Sequence, residues 1–234
     1  MNFFKKIIPD KFYKYLVSFY NEKLLDYSNK SYSQEGEDLI LRRIFEDKKK
    51  GFYVDVGAHH PKRFSNTYLF YKSGWRGINI EARPGSKKLF DKIRKDDINI
   101  EAAISDIPSV LTYFVFDEPA LNSFDKELSI KRANETKYKI LKEIPLSTVR
   151  LSEILDNYLD SKQAIDFLSI DTEGYDLTVL KSNDWDKFKP SVILCEDSEF
   201  EFVYPGKSKV FSFLVEKNYQ LFAKTPSTLI FKLI

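Results

Sequence analysis

GFYVDVGAHHPKRFSNTYLFYKSGWRGINIEAR, residues Gly51 to Arg83, is the stretch whose reading decides the fold. A short apolar strand, Phe52-Tyr53-Val54, delivers Asp55 into a turn built on Gly57 and Ala58. The pattern then predicts a helix starting near Ser65, with Tyr68, Leu69 and Tyr71 on its inner side. A second strand, Gly77 to Ile80, ends at Glu81. Strand, small-residue turn, helix, strand and terminal acid form the first half of a nucleotide-binding α/β sheet. The interval from Asp55 to Glu81 suits one βαβ crossover, and Glu81 is placed to accept hydrogen bonds from a ribose diol.

The turn is not a dinucleotide fingerprint. That fingerprint needs three glycines, whereas Gly57 is followed by Ala58, His59, His60 and Pro61. Side chains there would obstruct a pyrophosphate. A ligand with an adenosine and no pyrophosphate fits better, and S-adenosylmethionine is such a ligand. The plainer alternative is an ordinary βαβ unit with a chance acid at the end of its second strand.

Three motifs in order sharpen this reading: YSQEGEDLIL at Tyr32–Leu41, VDVGAHHPKRFSNTYLFYKSGWRGINIEARP at Val54–Pro84, and FLSIDTEGYDLTVLK at Phe167–Lys181. Together they resemble the FkbM family of class I methyltransferases, over roughly Ser31 to the C-terminus. The resemblance implies a Rossmann-like mixed seven-stranded α/β sheet flanked by helices, with an antiparallel C-terminal hairpin. It also implies methyl transfer from S-adenosylmethionine to a hydroxyl, on a sugar or a polyketide. Many relatives carry Asn-x-Gly after the Gly-Ala pair, where this chain has His59-His60-Pro61. By the same resemblance Gln34 lies beside the cofactor mouth, and Ala103 and Ile104 are the adenine contacts at the end of a third strand. The cofactor set expected is Gln34, Asp55, Gly57, Ala58, Glu81, Ala103, Ile104 and Asp171.

The length of 234 residues accommodates one substantial core, read as a methyltransferase domain at 31–234 behind an amphipathic helical arm at 1–30. The single Cys195 excludes an internal disulfide and a cysteine zinc site, and only two histidines exist. A reducing, cytoplasmic compartment is therefore expected. A net charge of +2 is too small for a nucleic-acid footprint. The basic excess sits in residues 1–30, where six lysines face Asp10, Glu22 and Asp26. No apolar run is long enough to span a membrane, and MNFFKKIIPDK lacks the apolar core of a signal peptide. Residues 3–26 read as amphipathic helices broken near Pro9, with Phe12, Tyr15, Leu16, Phe19, Tyr20 and Leu24 on one side. This arm either packs on the domain or docks on a membrane surface or partner at the inner face. Nothing in the sequence speaks to oligomeric state.

Further along, Tyr32–Glu46 is expected as a helix with Ser31 and Gln34 in capping-box spacing. Strands are expected at Ile98–Ile104, Leu111–Phe116 and Ile144–Val149. The polar stretch Asn122–Glu143 between the last two, lacking clean periodicity, reads as a lid over the substrate or as disorder. A helix at Leu151–Leu159, capped by Ser152, leads to a buried strand at Ile165–Ile170. That strand carries Asp171, Thr172 and Glu173 to its C-terminal edge, where open α/β sheets bind ligands. An acid cluster of purely structural purpose would cap the next helix, expected at Leu177–Ser182. Asp171 lies too early for that, which favours function. A further strand, Ser191–Cys195, ends in Glu196 and Asp197, and Tyr219–Ala223 pairs with Leu229–Leu233 as a terminal hairpin.

A hydroxyl is a poor nucleophile at neutral pH, so a base or a metal must assist removal of its proton. Asp171, Glu173 and His59 are the catalytic candidates, and His60, Ser123 and Glu196 are the candidates for holding a small-molecule or glycan acceptor. Clustered carboxylates suit a raised pKa and base work, and Asp171 with Glu173 equally suits Mg²⁺. The sequence leaves both open. Two rival classes share the opening βαβ unit, a nicotinamide-dependent sugar oxidoreductase and a catalytically silent nucleotide-binding domain. The missing glycines weigh against the first and the retained acids against the second.

Overall fold

The computed structural model describes residues 9–25, 27–160 and 163–234. The chain divides into a unit at residues 1–30 and a unit from Ser31 to Ile234. In the first, α1 (Asp10–Phe19) runs into a π-helical turn, Tyr20–Leu24. The part of the expected arm at residues 1–8, and Asp26, lie outside the described residues.

The larger unit is built on a seven-stranded sheet. Its strands are β1 (Phe52–Val56), β2 (Arg76–Glu81), β3 (Ile98–Glu101), β7 (Phe167–Ile170), β8 (Val192–Glu196), β9 (Tyr219–Lys224) and β10 (Thr228–Leu233). They lie in the order β3-β2-β1-β7-β8-β10-β9. The first five are parallel to one another, and β10 runs antiparallel to both β8 and β9. This is the mixed sheet with a terminal antiparallel hairpin expected from the motifs. The chain winds outward from β1 on one side and from β7 on the other, so the switch point, where such sheets bind ligands, lies between their C-terminal ends.

Strand alternation sorts the core into two layers. Val54, Val56, Ile78, Ile80, Leu168 and Ile170 face α6 (Leu151–Tyr158) and α7 (Asp176–Lys181), whose Leu151, Ile154, Leu155, Val179 and Leu180 belong to the same buried cluster. Tyr53, Phe167, Val192 and Leu194 point the other way. There they join Leu41 of α2 (Glu37–Ile44), Phe70 of α3 (Tyr68–Lys72) and Trp75.

On this second face, towards the β3 edge, the packing is polar. Arg94, just after α4 (Ser86–Ile93), is fully buried with Asp97, its Nε donating to Asp97 Oδ2 at 2.8 Å. Its Nη2 donates to Tyr53 Oη at 2.7 Å and to Thr67 Oγ1 at 3.2 Å, and Nη1 donates to the Pro61 carbonyl at 3.3 Å. The Tyr71 ring centre lies 4.8 Å from the guanidinium carbon. Asp97 also accepts from Tyr53 Oη, Asn79 Nδ2 and the Gly77 N–H. Gly77 itself must be glycine, because a Cβ there would overlap the Tyr53 ring.

Several boundaries differ from expectation. The helix after β1 begins at Tyr68 and buries Phe70; Ser65 stays outside it, its Oγ accepting the Tyr68 N–H at 3.1 Å. Helix α2 begins at Glu37 behind a left-handed Gly36, with no side-chain cap. Ser31 and Ser33 instead donate their hydroxyls to Asp38, at 2.6 and 3.0 Å. Helix α6 is not capped by Ser152; the Leu151 N–H is taken by Ser182 Oγ at 3.1 Å.

The expected strand Ile98–Ile104 breaks at Ala102. Its last two residues, Ala103–Ile104, form β4 of a separate three-stranded sheet with β5 (Val110–Phe116) and β6 (Ile140–Val149). Between β5 and β6 the chain is ordered, carrying a short 3₁₀ turn at Pro119–Leu121 and α5 (Lys126–Glu135). Asp125 caps α5 by accepting the Leu128 N–H. That helix buries only Ser129, which explains why no apolar stripe announced it.

Arg94→Met removes the partner of a buried carboxylate while roughly keeping volume. Urea unfolding should show a loss of about 3–5 kcal/mol, the usual effect of breaking a buried pair from one side. A loss under about 1 kcal/mol would mean that Asp97 is satisfied without it.

Candidate active site

At the switch point a cleft of about 810 Å³, counted out to its open mouth, runs between the ends of β1, β2 and β7 and the segment linking β5 to α5. Its floor is Asp55, Gly57, Ala58, Glu81 and Asp171. Gly57 follows β1 with φ +79°, and a Cβ there would overlap the Asp171 carbonyl oxygen, so the β1 and β7 ends can meet only through glycine. Its N–H and that of Ala58 both donate to the Ile80 carbonyl, at 3.0 and 3.1 Å.

Glu81 is buried at the end of β2. Its Oε2 accepts the His59 N–H at 2.7 Å and its Oε1 the Arg83 N–H at 2.9 Å. Burial pushes its carboxyl above the ordinary range, against those two N–H bonds. Asp55 accepts from Thr67 Oγ1 at 2.7 Å, and burial pushes it up to about 6. Thr67 also receives Arg94, so the polar network under the sheet reaches the cleft floor.

The loop after Gly57 bends sharply. His59 and Phe64 both have positive φ, 49° and 55°, and their rings stack at 6.2 Å. The Arg63 guanidinium donates to both oxygens of Glu118, at 2.9 and 3.1 Å, tying this loop to the segment after β5. Burial, then Arg63 and Arg83, lowers His59 to about 4, so its ring is neutral at pH 7. Its Nε2 is buried without a hydrogen-bond partner, as are Thr172 Oγ1 and Asn122 Nδ2, and all three residues line the cleft. Such orphaned atoms are what a bound ligand satisfies.

Opposite Glu81 the acids converge. One carboxylate oxygen each from Asp171, Glu173 and Glu196 lies within 4.8 Å of the others. Asp171 opens to solvent through the cleft, yet protein atoms crowd it. That crowding, then the charges of Glu196 and Glu173, pushes its carboxyl well above the ordinary range. Glu196 is raised as well, by burial first and then by Glu173 and Asp176. Glu173, at φ 54°, is paired with Arg132 of α5. Asp176 shapes the turn by accepting the N–H groups of Thr172 and Gly174, and burial with Asp171 nearby pushes it up to about 8.

The cleft thus gathers Gln34, Asp55, Gly57, Ala58, His59, Glu81, Asp171 and Glu173 from the expected set. Gln34 arrives because Glu35 beside it accepts Thr225 Oγ1 at 2.6 Å and the Ser227 N–H at 2.9 Å in the β9–β10 turn. Five expected residues do not line it. Ala103 and Ile104 are buried in the second sheet, and Ala102 takes their place, because its N–H pairs with the Glu81 carbonyl before the chain departs. His60 Nδ1 accepts the N–H groups of Lys62 and Arg63 and shapes the loop. Ser123 is buried, its hydroxyl donating to the Glu173 carbonyl at 2.7 Å. Glu196 enters only through the acid cluster. Tyr113, Asn122 and Phe124 line the cleft although no motif points to them. The one available signal is the aromatic spacing around β5, which fits a plain strand equally well.

The model of the "Methyltransferase FkbM domain" matches residues 55–221. The chain belongs to the FkbM methyltransferase family. Among curated proteins no relative matches it. Solved structures resemble this FkbM domain distantly. An O-methyltransferase from Bacillus cereus, solved in complex with SAH, is 12% identical with a TM-score of 0.44, over 97% of this chain and 92% of that one. A methyltransferase from Geobacter sulfurreducens is 10% identical with a TM-score of 0.44, over 100% and 94%.

The raised acids give a pH signature. A carboxyl whose folded pKa exceeds its unfolded value near 4 stabilises the fold below that value, and the contribution is lost as pH rises through the folded pKa. For Asp55 that loss runs from about pH 4 to pH 6 and for Asp176 from about pH 4 to pH 8. Scanning calorimetry of the ligand-free protein should therefore show a loss of Tm from these groups between about pH 4 and pH 8. Asp55→Asn should remove the lower part, on the order of 2–3 kcal/mol. A Tm that rises over this interval would contradict the assigned shifts.

Proposed function

We infer that this FkbM methyltransferase transfers a methyl group from S-adenosylmethionine to a hydroxyl of a sugar, carried in a glycan or a nucleotide- or lipid-linked precursor. The observation that carries the reading is the convergence of Asp171, Glu173 and Glu196 at one end of a cleft whose other end is Glu81. The donor set suits the cofactor. Glu81 keeps lone pairs beyond its two backbone contacts for a ribose diol, Ala102 offers an apolar contact for adenine, and Gln34 stands at the mouth. When bound, S-adenosylmethionine supplies an activated methyl group on a sulfonium.

The chain's own residues then manage the acceptor. Asp171 takes the hydroxyl proton, its basicity strengthened by crowding and by the neighbouring Glu196 and Glu173, which raise its pKa. Glu173, held by Arg132, and Glu196 accept hydrogen bonds from neighbouring hydroxyls and fix the ring. Phe64, Tyr113 and Phe124 offer flat apolar surface to the sugar's C–H faces. Neutral His59 has Nε2 free to accept a proton or a hydrogen bond. A cytoplasmic location suits the buried free thiol of Cys195.

A Mg²⁺ ion on the same three carboxylates is the second reading, favoured by their spacing. The Arg132 contact speaks for base chemistry, because it already neutralises Glu173. Loss of turnover with a chelator and recovery with Mg²⁺ would decide for the metal.

A methyl-transfer screen against nucleotide sugars, glycans and glycolipid precursors identifies the acceptor. With it, Asp171→Asn should lower turnover roughly 10²–10⁴-fold and leave S-adenosylhomocysteine binding intact. Full turnover in that variant would overturn the assignment. Glu81→Ala should cost about 1.5–3 kcal/mol of S-adenosylhomocysteine affinity by calorimetry, as loss of a charged acceptor does. Undiminished affinity would remove Glu81 from the cofactor site.

A further inference from the structure

The sequence before Ser31 plays no part in the chemistry above, and its construction is specific. At roughly 100° per residue, Phe12, Tyr13, Tyr15, Leu16, Val17 and Phe19 occupy about half of the α1 surface. Asp10, Lys11, Lys14 and Ser18 hold the rest. No residue from Asp10 to Leu24 is buried, and Phe12, Tyr15 and Phe19 expose 55%, 63% and 47% of their surface. The polar side satisfies itself at one-turn intervals: Lys14 pairs with Asp10 at 3.4 Å, and Ser18 Oγ donates to Glu22 at 2.6 Å.

The π-helical turn at Tyr20–Leu24 resets which side chains share the apolar face. A π turn takes about one residue more than an α turn. In an unbroken α-helix Lys23 would fall in the middle of the apolar side and Leu24 at its margin. The wider turn carries Lys23 to the same border as Lys11 and returns Leu24 to the apolar side with Tyr20. Neither Lys11 nor Lys23 has an ion-pair partner among the described residues. Two unpaired lysines thus border an apolar, aromatic-rich face, with Lys5 and Lys6 preceding it in sequence.

We propose that this segment binds an anionic lipid surface, lying in the interface with its rings in the acyl boundary and Lys11 and Lys23 reaching lipid phosphates. The charge argues for this occupant over an apolar protein groove. Border lysines on long stems suit a plane of anions beside hydrocarbon, whereas the self-paired polar side asks for nothing beyond water. No helix among the described residues is long and apolar enough to cross a membrane, so the contact is peripheral.

The test uses the full chain and sedimentation with two kinds of vesicle, phosphatidylcholine alone and phosphatidylcholine mixed with phosphatidylserine. The wild type should sediment with the mixed vesicles and far less with the neutral ones. Phe12→Ser with Phe19→Ser should abolish sedimentation. Lys11→Gln with Lys23→Gln should weaken it roughly fivefold per lysine, the equivalent of about 1 kcal/mol each. Thermal melting and S-adenosylhomocysteine affinity should not change in either variant. Three results would overturn the proposal. One is sedimentation that neither variant alters, or none at all. Another is a lowered Tm in the phenylalanine variant, meaning that the rings pack on the protein. The last is a mass that doubles with concentration and reverts in that variant, meaning that a second copy covers the face.

Discussion

Arg94 is fully buried and charged, and the shape of the cleft depends on how that charge is met. Its guanidinium joins three pieces of chain: Tyr53 on β1, the Pro61 carbonyl and Thr67 on the loop after β1, and the nearby Asp97 before β3. The loop is the part that needs holding. It contains two non-glycine residues at positive φ, a conformation costing of order 1–3 kcal/mol each unless the surroundings impose it. Arg94 from below, Glu81 through the His59 N–H and Glu118 through Arg63 are three such impositions. A hydrophobic residue at position 94 would pack as well but could not reach the Pro61 carbonyl and Thr67 together. The desolvation cost of the pair is thus spent on geometry rather than on stability.

The same logic explains the opposite end of the cleft. Strands β7 and β8 are neighbours, so the acids at their ends emerge side by side, and Glu173 is turned back towards them by the left-handed pair Glu173-Gly174. Three carboxylates so close would repel one another if all were ionised. The raised pKa values of Asp171 and Glu196 register that repulsion, and the Arg132 contact to Glu173 relieves it. Arg132 comes from α5, outside the seven-stranded sheet altogether. The Asp171 end of the cleft is completed only when the segment between β5 and β6 docks, through Ser123 on the Glu173 carbonyl and Phe124 between Tyr113 and Tyr175.

How much of this is legible in the sequence depends on whether local chemistry or distant packing decides each feature. The βαβ unit from Gly51 to Arg83 can be read because its apolar strands, its glycine and its terminal acid are all local signals. The acids at the ends of β7 and β8 can be read because unbroken apolar runs mark buried strands, and the residues closing such a strand sit at its edge. Arg94 cannot be read, since it follows directly on a helix whose cations, Lys87, Lys88 and Lys92, are exposed. The break at Ala102 is hidden for a similar reason. Ala102, Ala103 and Ile104 continue the apolar pattern of β3, and only the pairing available from Thr148 and Val149 draws the last two away. Helix α5 escapes notice because it is fastened by Asp125, Ser129 and Arg132 rather than by an apolar face.

These two origins divide the cleft along its length. The Glu81 end is made by β1, β2 and the loop that Arg94 holds, all within one βαβ unit and the residues just after it. The Asp171 end takes that acid from the end of β7 but its walls, Tyr113, Asn122 and Phe124, from β5 and the segment beyond it. Substitutions in that segment other than at Glu118 can reshape the Asp171 end without touching Glu81, Gly57 or the Arg94 network. The reverse does not hold. The Arg63–Glu118 pair crosses from one side to the other, so a change that frees the loop after β1 also frees the wall at Pro119 and Ala120. The Asp171 end can therefore drift in this fold while the Glu81 end stays fixed, but a loosened loop after β1 will always be felt at the opposite wall.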